Sequence, residues 1–142
     1  MRNEKNAAVI QGLYIAVNER NFEYLNTVSD ARSEWFDIPF NITNLGITSA
    51  AASWEKRFSL FPDVTFEIQN LMAYHNYVIV QGVERATFKG MLAFIDEDII
   101  TEGYPVEIAF CDIYYLEDGR ILKANSNFDV NAFKEQICAI PV

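Results

Sequence analysis

At 142 residues, with 51% hydrophobic and 14% aromatic side chains, the chain is sized for one compact domain with a substantial core. Its formal charge of -9 argues against a nucleic-acid partner, whose phosphates require clustered Lys and Arg, and against anionic membrane surfaces. No stretch approaches the length of a membrane span, and the charged opening MRNEKNAAVIQGLY lacks the apolar run of a signal peptide, so a cytoplasmic protein is expected.

Residues 5–18 carry Ile10, Leu13, Tyr14 and Val17, the stripe of an amphipathic helix. Asn21 suits the N-cap of a short second helix over FEYLNTV. SEWFDIPF reads as a strand that Pro39 ends or bends. Ser49 is placed to cap a third helix, in which Trp54, Phe58 and Phe61 share a face, and Pro62 stops it. The period then changes to two. TFEIQNLMAY and YVIVQGVERATFKG are joined by His75-Asn76, a connection that suits a hairpin. Residues 91–104 read as a loop with some strand at its ends. VEIAFCDIYYLE and RILKANSNF flank Asp118-Gly119, a strong hairpin signal because both residues tolerate positive φ. DVNAFKEQICAI can form a last short helix. The order implies a single α+β domain over residues 1–142, with helices packed on one face of a curved, mostly antiparallel sheet. Cys111 and Cys138 lack paired spacing and are expected as packed, reduced thiols.

Asp112 stands inside an apolar and aromatic run. Counting back from the Asp118-Gly119 turn, Glu117 faces Arg120, Leu116 faces Ile121, Tyr115 faces Leu122 and Asp112 faces Asn125. One face then holds Val106, Ile108, Phe110, Asp112 and Tyr114 opposite Lys123, Asn125 and Asn127. The other holds Ala109, Cys111, Ile113 and Tyr115 with Leu122, Ala124 and Phe128. Both faces are substantially apolar, so one is expected under the helices and the other against a second subunit. The Asp112 face mixes apolar groups with amides and a carboxylate, as a ligand pocket does; alternation alone leaves a solvated face equally open.

Several stretches then resemble one family. FPDV at 61–64 is similar to the FPD junction of SnoaL-like polyketide cyclases, and ERATFKG at 84–90 to their GTHxG stretch. DIYYLEDGRI at 112–121 resembles their D-x-F-R-x-x-D-G-K-I, and Phe128-Asp129 followed by FKEQ resembles their ending. The chain thus resembles the NTF2-like superfamily, cone-shaped cystatin-like α+β folds that include SnoaL-like cyclases and ketosteroid isomerases. The resemblance implies a cone, an apolar small-molecule ligand and a homodimer through the outer sheet face. It does not choose among the activities this fold hosts.

Carried over by position, the resemblance puts Asp112 where the isomerases hold a protonated aspartic acid in an oxyanion hole. Asp37 falls near the general base, although Ile38 intervenes before Pro39. Tyr14 falls near the oxyanion tyrosine, but its spacing to NERN is one residue short, which leaves Leu13 as the other equivalent. Phe88 replaces the GTH histidine, Ala86 the preceding glycine, and Asn125 a tryptophan. The loop after Gly90 is longer and more acidic than the family's.

Proton transfer beside a carbonyl needs a carboxylate base and a donor for the enolate oxygen. Asp37 is the candidate base. Asp112, if buried and protonated, is the candidate donor, with Tyr14 or Tyr114 in support. Glu84 either points inwards with Ala86 and Phe88 or forms a rim ion pair. Trp35, Trp54, Phe58, Phe88, Phe110 and Tyr114 line the pocket or pack the core, and Asn125 and Asn127 either orient Asp112 or satisfy it. No metal and no nucleotide cofactor are expected: His75, the single histidine, sits at a hairpin tip, the cysteines lack ligand spacing, and no glycine-rich phosphate loop is present. The acidic run Asp96-Glu97-Asp98 reads as a solvated loop. Two functions follow: a SnoaL-like small-molecule-binding isomerase or cyclase, or a non-catalytic dimeric module that binds a ligand or a protein through the same fold.

Overall fold

The computed structural model describes residues 3–88 and 104–138. Helices α1 (Glu4–Asn18) and α2 (Phe22–Thr27) precede β1 (Ser29–Asp37), a 3-10 turn over Ile38–Phe40, β2 (Ile42–Leu45) and α3 (Ser49–Leu60). Strands β3 (Thr65–Tyr74), β4 (Tyr77–Phe88), β5 (Tyr104–Glu117) and β6 (Arg120–Phe128) follow, and α4 (Val130–Cys138) ends the described chain. The six strands form one curved, unclosed sheet in the order β2-β1-β6-β5-β4-β3. Among the described strands only β1 and β6 pair in parallel.

Helix α1 starts at Asn3, whose side chain accepts the Asn6 N–H, and it buries Ile10, Leu13, Tyr14 and Val17 against β3 and β4. Asn18, at its far end, bonds both the N–H and the C=O of Phe66, at 2.8 and 2.9 Å. That fixes the height of β3 against α1 and turns Phe66 into the core. Asn21 caps α2 through the Tyr24 N–H as its sequence suggests. Thr48, not Ser49, precedes α3; Ser49 is the first helical residue, and its hydroxyl lies 2.9 Å from that of Ser33 on β1. This bond ties α3 to the sheet under which it packs. The segment expected as a loop over 91–104 lies outside the described residues except for Tyr104, which opens β5.

Both hairpins form where the turn residues place them. Asp118 and Gly119 have φ of 52° and 74°, and His75 of 52°. The register beyond Asp118-Gly119 differs from simple counting. Glu117 pairs with Arg120 and Leu116 with Ile121, but Tyr115 then pairs with Lys123 because Leu122 is an extra residue in β6. One inserted residue turns the rest of the strand over. Asp112 therefore pairs with Ser126, not Asn125, and Ala124 and Ser126 share its face. Lys123, Asn125 and Asn127 are exposed on the opposite face with Ile113.

The concave face is closed by α1 and α3 over Trp35, Phe66, Val78, Val80, Ile108, Phe110 and Tyr114, all buried. The convex face exposes Met72, Tyr74, Tyr77 and Ile113. A cleft of about 440 Å³ opens on that face, between Tyr77, Ile113, Tyr115, Leu122, Lys123 and Asn125. Cys111 is a free thiol; the Cys138 side chain is outside the described residues. No described helix is long and apolar enough to cross a membrane.

Candidate active site

The strand register sets the site in rows. Laterally paired residues share a face, so β1, β6 and β5 bring Asp37, Ser126 and Asp112 into one line across the concave side. The next line holds Trp35, Ala124 and Tyr114. Asp37 and Asp112 stand two strands apart, roughly 10 Å between backbones at ordinary sheet spacing. Both are 2% exposed.

Asp112 is held at both oxygens. Its Oδ1 accepts the Ser126 hydroxyl at 3.0 Å and the Asn127 backbone N–H at 3.3 Å. Its Oδ2 accepts the Tyr14 hydroxyl from α1. The Tyr14 and Tyr114 hydroxyls share a hydrogen bond of 2.7 Å, and Tyr114 Oη lies 3.5 Å from the same Oδ2. Tyr14, not Leu13, thus delivers the oxygen, although both side chains are buried. Four aromatic neighbours fix the Tyr14 ring: Phe110 stacks on it at 5.8 Å, and Trp54, Phe66 and Tyr114 flank it. Gly82 makes room for this stack, since a Cβ there would come within 2.7 Å of Phe110 Cζ and collide with the Glu67 carbonyl.

A second polar group lies across the cone. Arg57, from α3, pairs with Glu84 on β4, and the side chains are 6% and 3% exposed. The guanidinium also sits 4.5 Å over the Phe128 ring. Glu84 is therefore inward, and its pair is a core ion pair and not a rim one.

Burial dominates the electrostatics. It pushes the Asp112 carboxyl above the usual carboxylate range, against the donors from Tyr14, Ser126 and Asn127 and the charge of Arg57, which favour the anion. Glu84 is also raised, by burial first and further by Asp112 and Asp37, while Arg57 opposes. Tyr14 and Tyr114 are both pushed well above the ordinary phenol value, by burial and then by the neighbouring Asp112. Both phenols therefore stay protonated at any working pH and act as O–H groups.

The remaining candidates divide. Trp35, Trp54, Phe110 and Tyr114 meet around Tyr14, with Trp35 5.8 Å from Tyr114 and 6.4 Å from Trp54. The indole N–H groups of Trp35 and Trp54 are buried and have no acceptor among the described residues. Phe58 faces elsewhere: it is half-buried against Phe22 at 5.7 Å and under the Arg20 guanidinium. Asn125 and Asn127 point to the convex face, and only the Asn127 backbone reaches Asp112. The Phe88 side chain lies outside the described residues. Counting missed Ser126, because the β6 insertion hides its face. It also missed Arg57, although an arginine three residues after Trp54 on the buried stripe of α3 was a visible signal. Among the described residues no His, Cys, Asp or Glu side chains group to hold a metal ion.

The sequence matches the SnoaL-like polyketide cyclase family model over residues 8–137. No curated protein matches it. Among solved structures the chain is similar to wild-type IdmH from Streptomyces antibioticus, at 19% identity and a TM-score of 0.79, covering 94% of this chain and 99% of that one. It is similar to TerC co-crystallised with polyporic acid, at 17% identity and a TM-score of 0.75 over 95% and 99% of the two chains. It is also similar to a SnoaL-like polyketide cyclase from Agrobacterium tumefaciens, at 21% identity and a TM-score of 0.69 over 91% and 94%. At these identities the structural likeness establishes the NTF2-like cone, and the match along nearly the whole sequence establishes the rest: the chain belongs to the SnoaL-like polyketide cyclase family.

Proposed function

We propose that the chain binds a largely apolar small molecule bearing a carbonyl inside the cone, and moves a proton at the carbon beside it. The observation that carries this is the buried Asp112 held by Tyr14, Tyr114 and Ser126 in the same sheet row as the buried Asp37. Asp37 serves as the base that takes the α-proton. Asp112, kept neutral by its apolar surroundings, and the phenols bonded to it supply the O–H that meets the enolate oxygen. The aromatic wall of Trp35, Trp54, Phe66 and Phe110 suits a flat, unsaturated ligand. TerC, a neighbour in fold, was co-crystallised with polyporic acid, which is in keeping with such a ligand.

The test is exchange of the α-protons of 2-tetralone into D2O, followed by proton NMR. Acceleration over buffer that is lost in Asp37→Asn and Asp112→Asn supports the assignment. A rate equal to buffer, with the ketone shown to bind by quenching of the buried tryptophans, refutes the catalytic part and leaves a binding module. We further propose that two copies pair through the convex face, supported by the exposed Met72, Tyr74, Tyr77 and Ile113. Sedimentation of the parent chain as a dimer and of Ile113→Lys as a monomer is the expected result; a monomeric parent refutes it.

A further inference from the structure

Asp37, Glu84 and Asp112 are each 2% exposed and Tyr114 1%, and the cleft described above opens on the convex face, away from them. A ligand reaches these groups only if part of the wall moves. The walls differ in how firmly they are held. The sheet is one hydrogen-bonded unit. Helix α1 buries seven residues and is tied at both ends, by Asn3 to the Ala73 carbonyl and by Asn18 to Phe66. Helix α3 buries Ala50, Trp54 and Arg57 and is bonded to β1 through Ser49 and Ser33. Helix α4 is different: from Val130 to Gln136 no residue is buried, although the helix packs on β5.

Three points among the described residues tie α4 down. Asp129 anchors its start: the Asp129 N–H bonds the Ala109 carbonyl at 3.0 Å, and the Asp129 carboxylate caps the Ala132 N–H at 2.9 Å. Gln136, near its end, takes both backbone groups of Glu107. Its Oε1 accepts the N–H at 2.8 Å and its amide donates to the C=O at 2.6 Å. Between these two points the Phe133 ring stands edge-on to Phe61 at 5.5 Å and to Phe128 at 6.4 Å. Phe128 pairs with the buried Phe110 and so faces the concave side, with the Arg57 guanidinium 4.5 Å over its ring. Phe133 therefore occupies an aromatic seat at the rim of the cone, next to the buried Arg57–Glu84 pair.

We propose that Phe133 is a plug which α4 holds in the mouth of the cone, released by a swing about Asp129 when the Gln136 latch opens, and that an aromatic ring of the ligand takes the vacated seat against Phe61 and Phe128. This rests on the function proposed above and adds to it an entry route and a second point of recognition. An edge-on aromatic contact is favourable whichever ring supplies it, so the ligand ring replaces what Phe133 gives up. The latch bonds are exposed, so water takes over each partner when they break, and the opening is cheap beside any movement of α1 or α3. The plug competes with the ligand, and the apparent Kd is the intrinsic Kd divided by the open fraction. Removing the plug or the latch therefore tightens binding. Removing a residue that merely lines the bound ligand weakens it, so the sign of the change separates the two roles.

Two measurements test this, and the first needs no ligand. Acrylamide quenching of the buried Trp35 and Trp54 reads access to the interior. The quenching constant is expected to rise about three- to tenfold in Gln136→Ala, the weight of the latch bonds, and to stay at the parent value in Asn18→Ala, which loosens α1 instead. Equal access in parent and Gln136→Ala overturns the latch. The second follows 2-acetylnaphthalene by stopped-flow tryptophan quenching. In the parent the association rate is expected to level off as the ketone concentration rises, because opening comes first. Gln136→Ala is expected to bind about three- to tenfold more tightly, through faster association with unchanged dissociation, and Phe133→Ala at least as tightly. Weaker binding by Gln136→Ala, or by a folded Phe133→Ala, overturns the plug; if Phe133→Ala does not fold, Gln136→Ala decides alone. Increased acrylamide access in Gln136→Ala with no binding of the ketone by any of these proteins refutes the proposed function and leaves the latch standing.

Discussion

Asp112→Asn is the substitution whose outcome the geometry constrains most tightly. The asparagine oxygen replaces Oδ1 and keeps the Ser126 and Asn127 donors, while the amide NH2 replaces Oδ2 and faces Tyr14. It therefore reproduces the protonated acid, with N–H in place of O–H and nearly the same volume. Burial raises the folded-state midpoint of Asp112 above its unfolded value near 3.9. Between those two points the folded state holds a proton that the unfolded state lacks, so stability falls as pH rises through the window. One proton corresponds to about 1.4 kcal/mol per pH unit. Glu84 is raised in the same direction and adds its own slope.

The parent chain is thus expected to lose stability with rising pH at a slope of up to two protons, and Asp112→Asn at a slope smaller by up to one, about 1.4 kcal/mol per unit. The variant should overtake the parent as pH increases. Urea denaturation at a series of pH values from 4 to 8 reads this directly, with the buried Trp35 and Trp54 as fluorescent reporters. Parallel slopes for the two proteins would refute the reasoning. They would mean that the donors around Asp112 outweigh its burial and that it folds as an ordinary carboxylate.

Arg57→Met removes the cation beside Glu84 and should cost about 3–5 kcal/mol, more at high pH than at low; adding Glu84→Leu should recover most of it, and a double-mutant cycle measures the coupling. Ser126→Ala withdraws a donor from Asp112 Oδ1 and so disfavours the anion. The Asp112 ¹³Cγ midpoint should rise, and the loss in stability, about 1 kcal/mol, should be larger above that midpoint than below it. Gly82→Ala pushes a methyl group into the Glu67 carbonyl and the Phe110 ring, and should destabilise by about 1–3 kcal/mol or more in denaturant melts.

The elements were legible because their signals are local. The α1 stripe, the Asn21 cap, the Asp118-Gly119 turn and the alternation in β3, β4 and β5 each act within a few residues. The site was legible only on β5, β1 and α1. Asp112 and Tyr114 lie on a strand whose inward face alternation identifies, Tyr14 lies on the helix stripe, and Asp37 on β1 was singled out by its position in the family resemblance. On β6 the same reasoning put Asn125 and Asn127 inside and left out Ser126. The cause is physical. Leu122 inserts a residue just past the turn, and no dipeptide signal marks such a bulge, which forms because it lets Leu116 and Ile121 stay buried together at the turn while Ala124 takes the inward place beside Tyr114. Short β2 escaped notice because it pairs with β1 as an edge of only Ile42–Leu45. The Arg57–Glu84 pair joins a helix to a strand 27 residues later, a distance at which charges in sequence give no register.

The arrangement of charge also bears on which aspartate is acid and which is base. Asp37, Glu84 and Asp112 are all buried, and Arg57 is the guanidinium whose field reaches Glu84 and Asp112. Arg57 is in contact with Glu84, where an attraction of roughly 4 kcal/mol applies at an effective dielectric of 20. Most of its charge is therefore committed there. Asp37 and Asp112, roughly 10 Å apart across Ser126, would repel by roughly 2 kcal/mol on the same basis if both were ionised. A second negative charge in the row is unfavourable, and the proton goes to whichever carboxyl is better served by keeping it. Asp112 is the one whose carboxyl burial raises, against the donors from Tyr14, Ser126 and Asn127. On the proposed reading Asp37 is left as the base, and burial holds Asp112 as the proton donor.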